Sequence, residues 1–103
     1  MAREISLGAV DQIPAGEGRA FVAGTETIAV FHTRGGEVFA VQAFCPHRHG
    51  PLADGLVGDA TVTCPLHERA FDLRTGAGIG VEDCLKSYPV RIAGDGAMMV
   101  SLD

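Results

Sequence analysis

Between Cys45 and His67 the chain reads CPHRHGPLADGLVGDATVTCPLH, a stretch holding two of its three cysteines and three of its four histidines. Cys45 and His47 form a C-x-H pair, Cys64 and His67 form a C-x-x-H pair, and residues 48–63 lie between them. Thiolate and imidazole are ligands of soft and borderline metals, so two such pairs point to a metal site. Structural zinc more often groups like ligands, as C-x-x-C followed by H-x-H. The alternating order suits an iron–sulfur centre in which two thiolates hold one iron and two imidazoles hold the other. Two other readings stay open on these residues alone. A Cys2His2 zinc site would stabilise the domain and do nothing else, and unrelated cysteines are often just small buried hydrophobes.

The two pairs share a local plan. Each follows a β-rich run, residues 37–44 before Cys45 and 60–63 before Cys64. Pro46 and Pro65 come next, each fixing a backbone angle and removing an N–H donor. Turn residues then follow, with Gly50, Pro51 and Gly55 after the first pair; after the second, residues 70–73 can return as a strand ending at Thr75-Gly76. Farther out, residues 4–7 alternate as a first strand, and residues 11–18 form a turn region with Pro14, Gly16 and Gly18. Residues 19–23 and 27–33 flank Gly24-Thr25-Glu26 as a hairpin, and Arg34-Gly35-Gly36 leads into 37–44, giving an antiparallel meander. Residues 87–93 and 97–102 form a last hairpin around Gly94-Asp95-Gly96. His32 reads as a surface strand residue.

Gly76, Gly78 and Gly80 lack the strand-then-helix setting and the Lys-Ser/Thr of a phosphate loop; a flexible glycine-rich loop over the metal site is expected instead. Nothing in the chain has a helical period or a repeat. The fold class is therefore all-β, with 103 residues forming one domain, 1–103.

A net charge of −5 excludes electrostatic attraction to nucleic acid or an anionic membrane. No apolar run approaches a membrane span and no signal peptide opens the chain. Two of the three cysteines are claimed by a metal, which leaves no disulfide framework, and the cytoplasm is the expected compartment.

Cys45-Pro-His47 and Cys64-Pro-Leu-His67 resemble the two ligand boxes of Rieske iron–sulfur proteins, and the resemblance extends through AVFHTRGGEVFAVQAFCPHRHGPLADG, CPLHERAFDLRTG and KSYPVRI. It implies a Rieske-type antiparallel β-sandwich with a small cluster-binding subdomain, approximately residues 43–75, made by two ligand loops. It also implies a [2Fe-2S] cluster held by Cys45, His47, Cys64 and His67. The chain then carries one electron at a time and has no catalytic residues of its own. Ala29-Val-Phe31, Phe39-Ala-Val-Gln42, Tyr88-Pro-Val90 and the Cys-Pro-His box look most like the small subunit of assimilatory NAD(P)H nitrite reductase, whose partner is the large subunit reducing nitrite to ammonium. Rieske ferredoxins of ring-hydroxylating dioxygenases, working between a reductase and an oxygenase, are the alternative; they more often have threonine where Pro46 stands.

Around the boxes, Cys84 reads as a buried structural thiol and His49 as a solvated turn residue, and Arg48 and Arg69 are candidates for the cluster rim. High-potential relatives carry an extra cysteine in each box and hydroxyl donors after the second. Here Leu66, Arg69 and Phe71 occupy the second-box positions, which places the expected potential near the low end of the Rieske range.

Overall fold

The computed structural model describes residues 4–45, 51–65 and 69–102. Among these residues, eleven strands form three antiparallel sheets. The central sheet has the order β2-β3-β4-β9, from Glu17–Ala23, Glu26–His32, Val38–Gln42 and Ser87–Tyr88. A second sheet, β1-β11-β10, joins Glu4–Ala9, Ala97–Ser101 and Val90–Ile92. A third, β5-β6-β7-β8, joins Leu56–Val57, Thr61–Thr63, Ala70–Asp72 and Gly78–Ile79. The only helical elements among the described residues are two 3-10 turns, Val10–Gln12 and Leu52–Asp54.

The central strand β3 explains the layering. Its run Ile28-Ala29-Val30-Phe31 is apolar at every position, and all four side chains are fully buried. Alternate residues of a strand face opposite sides, so such a run needs cover on both. Ile28 and Val30 enter one core with Ile13, Ala40, Tyr88, Met98 and Val100. Ala29 and Phe31 enter the other with Val41, Leu52, Val62, Phe71 and the thiols Cys45 and Cys64. The β1-β11-β10 sheet therefore covers one face, and the β5–β8 sheet covers the other.

The expected meander is present as β2-β3-β4, in continuous register from Glu17↔His32 to Ala23↔Glu26 and from Ile28↔Gln42 to His32↔Val38. Three expectations need correction. The run 87–93 is two strands, because the chain changes sheets at Pro89: Tyr88 pairs with Ala40 of the central sheet, whereas Val90 pairs with Val100 of the outer one. Pro89 has no N–H to give a ladder, but its carbonyl accepts from Ser101 N–H at 2.8 Å. The glycine-rich segment is not a free loop, since Gly78 pairs with Phe71. Its glycines serve close approach: a Cβ on Gly76, whose φ is +83°, would collide with the Leu85 carbonyl, and one on Gly78 with that of Asp83. His32 is half-buried rather than a surface residue, with its ring Nδ1 2.8 Å from the Ile13 carbonyl, and it ties β3 to the turn region.

Candidate metal centre

Both cysteines sit at the base of loops closed by backbone pairing. Phe44 bridges to Pro51, and Leu52 N–H donates to Ala43 C=O at 2.9 Å, so the chain leaves and returns at one point around residues 45–50. Cys64 N–H donates to Arg69 C=O at 2.7 Å, closing the second loop in line with the β6–β7 ladder. Cys45 and Cys64 are buried, to 0% and 1% exposure, and belong to the same apolar cluster. No disulfide joins any of the three cysteines. Two thiols delivered from separate loops into one dry cluster fit the thiolate half of a mixed-ligand iron–sulfur site. His47 and His67 lie outside the described residues, as do Pro46, Arg48, His49 and Leu66. Accordingly, no group of three or more potential metal ligands is found among the described residues.

Arg69 is tied back rather than free at the rim. Its guanidinium donates to Asp83 at 3.1 Å, with both side chains about a third exposed. Asp83 lies in the segment after β8, so this pair fastens the second loop to the chain beyond it. Phe71 is fully buried in the cluster that contains both cysteines, and it offers only hydrocarbon there. Cys84 is exposed, contrary to the buried thiol expected from the sequence. The reason is local: its neighbour Leu85 takes the inward position, with Leu85 N–H donating to Gly76 C=O at 2.6 Å.

One supporting residue escaped the reading of the sequence. The Gln42 side chain donates to the Phe44 carbonyl at 2.8 Å and accepts from Lys86 N–H at 2.8 Å, while its own backbone N–H donates to Lys86 C=O. It thus anchors the approach to Cys45 against the segment leading into β9. The only hint was a polar residue closing the apolar run Val38-Phe-Ala-Val. Nearby, Tyr88 is buried, and its hydroxyl donates to Glu26 at 2.7 Å. Burial, with the Glu26 carboxylate, pushes the phenol up to about 12. The Lys86 ammonium lies over the Tyr88 ring, 5.1 Å from its centre, and 3.6 Å from Glu26.

The Rieske-like [2Fe-2S] domain family matches residues 5–101. The chain belongs to this family. The cofactor is a Rieske-type [2Fe-2S] cluster and the chain is an electron carrier, which removes the zinc alternative. The anthranilate 1,2-dioxygenase ferredoxin subunit of Burkholderia cepacia is 42% identical over 98 residues, 93% of this chain and 89% of that protein. Among solved structures, Sphingomonas yanoikuyae B1 ferredoxin is 30% identical with a TM-score of 0.85, over 98% of this chain and 100% of that one. Escherichia coli NirD is 25% identical with a TM-score of 0.88, over 99% and 98%. No helix among the described residues is long and apolar enough to cross a membrane.

Proposed function

We propose that this chain is the Rieske ferredoxin of a ring-hydroxylating dioxygenase system, taking single electrons from a reductase and handing them to an oxygenase in the cytoplasm. The observation that carries this reading is the 42% identity, over 93% of the chain, to a dioxygenase ferredoxin subunit. That weighs more than the shared segments that made a nitrite reductase small subunit the first expectation. Cys45, His47, Cys64 and His67 are proposed as the ligands, within a cluster-binding unit of about residues 43–75. The burial of Cys45 and Cys64 in one cluster supports the thiolate half.

The bound cluster supplies a reversible one-electron change. The protein's part is to keep that change inexpensive. Closed loop bases, the Gln42 anchor and the Arg69–Asp83 pair restrain the backbone on both sides of the site.

The second reading, nitrite reductase small subunit, is favoured by the likeness to NirD and by the Cys-Pro-His box. Purified protein is mixed in turn with a dioxygenase reductase and oxygenase, and with a sirohaem nitrite reductase large subunit. Electron-dependent ring hydroxylation supports the ferredoxin; stimulation of nitrite reduction alone transfers the assignment to the second reading.

A further inference from the structure

The register of the third sheet places Leu56, Thr63, Ala70 and Ile79 directly opposite one another across four strands. Opposed residues in antiparallel pairs share a face. The neighbouring row, Val57, Val62, Phe71 and Gly78, points inward, where Val62 and Phe71 are fully buried. The Leu56 row therefore lies on the outer face, and its two ends stay open: Leu56 is 78% exposed and Ile79 51%. Four strands at their usual spacing make the row about 14 Å long. Thr63 directly precedes Cys64, and Ala70 directly follows Arg69, whose carbonyl closes the second loop. The row, apolar at both ends, thus passes at Thr63 within one residue of Cys64, a proposed thiolate ligand.

Its surroundings are acidic. Asp54, Asp59 and Glu82 are exposed and stand within three residues of Leu56 or Ile79 in the sequence, and Asp72 lies on the same face two residues beyond Ala70. Of the basic residues nearby, Arg69 is matched by Asp83, which leaves Arg74 against four carboxylates. A second copy of the chain would bring like charges together, and an anionic membrane would be repelled. A protein patch with an apolar centre and a basic rim complements both features.

We propose that the outer face of the β5–β8 sheet is the docking surface for a redox partner bearing such a patch. The proposal rests on the electron-carrier reading above and names where the partner sits. Two double variants test it in the cluster-loaded protein, Leu56→Thr with Ile79→Thr, and Asp54→Lys with Glu82→Lys. Threonine keeps strand propensity, so folding is retained. The partner used is whichever of the oxygenase or the nitrite reductase large subunit accepts electrons from the unaltered chain. The threonine variant is expected to raise the KM for this chain roughly tenfold with kcat unchanged. The lysine variant raises KM and flattens the salt dependence. Visible spectrum and midpoint potential stay as they were in both, which separates docking from damage to the site. An unchanged KM for the threonine variant overturns the docking surface while leaving the carrier role intact. Unaltered protein that reduces neither partner overturns both. A dimer of the unaltered chain that the threonine variant dissolves would assign the face to a second copy and overturn the proposal.

Discussion

On one face of β3, Ile28 and Val30 meet Met98 and Val100; on the other, Ala29 and Phe31 share a cluster with Cys45 and Cys64. The first core is covered by a sheet with strands of six, five and three residues. The second is covered by strands of only two or three residues. Short ladders supply few backbone bonds, so the site half depends on other restraints, among them the loop-closing bonds, the Arg69–Asp83 pair and the metal ligands themselves. A cofactor built into the core adds its binding free energy to folding. The difference teaches that one half of the molecule is held by its own packing, and the other by packing together with its chemistry.

The sharpest way to break this comparison is to remove one of the two thiols proposed as ligands. Cys45→Ser or Cys64→Ser should abolish the brown colour and the approximately two irons and two sulfides per chain, because a hydroxyl poorly replaces a soft sulfur ligand. Hydrogen exchange should then show lost protection in β5–β8 and retained protection in β1, β10 and β11. Uniform loss would mean that the two halves are one cooperative unit.

Next in size is a pair of core truncations. Phe71→Ala should cost about 3–5 kcal/mol and Met98→Ala about 2–5 kcal/mol by denaturant unfolding. Only Phe71→Ala should also speed cluster loss, since Phe71 alone of the two shares the cysteine cluster. Equal rates of bleaching would erase the distinction between the halves.

A subtler change keeps the volume of Phe71. Phe71→Tyr brings a hydroxyl into the cluster that holds both cysteines and should raise the midpoint potential by donating toward sulfur. Protein-film voltammetry reads it; an unmoved midpoint would mean that the ring edge points away from the ligands.

The Tyr88–Glu26 bond tests the other side of the central sheet. A phenol whose folded value is about 12, against an ordinary value near 10, binds its proton more tightly in the folded state. Its stabilising contribution is therefore complete below about pH 10 and is lost as pH rises from about 10 to 12. Tyr88 is the only tyrosine and the chain has no tryptophan, so ultraviolet titration reports it alone above a cluster baseline. Glu26→Gln should lower the midpoint; no shift would leave burial as the sole cause. The smallest effect expected is that of Cys84→Ser, which should leave the visible spectrum unaltered, because this exposed thiol lies outside both loops.

Much of this architecture was legible in the sequence. The meander was readable because turn residues punctuate strongly apolar runs, and the family because cysteine and histidine pairs at fixed spacings have few other uses. The exchange of sheets at Pro89 was not, since residues 87–93 keep one strand-like pattern while their partners change. Two-residue strands such as Leu56–Val57 and Gly78–Ile79 are too short to show a period. Cys84 was misread because composition favours burial of cysteine, whereas the local alternation gave the inward place to Leu85. The anchoring roles of Asp83 and the Gln42 side chain were not legible, because a polar side chain becomes a restraint only when a distant backbone or cation is brought to it.

The pairing of Glu4 with Ser101 and of Ile5 with Val100 has a consequence for the chain as it is made. Among the described strands the ladder of β1 is formed by β11 alone, so during synthesis β1 has no partner until Ala97–Ser101 has been made. The β5–β8 sheet pairs only neighbours in sequence and meets no such delay. Throughout synthesis β1 is an unpaired edge, and its pattern suits that wait. Glu4, Ser6, Gly8 and Ala9 are its exposed positions, alternating at first with half-buried Ile5 and Leu7, so the waiting strand offers passing chains few apolar contacts and an acidic end.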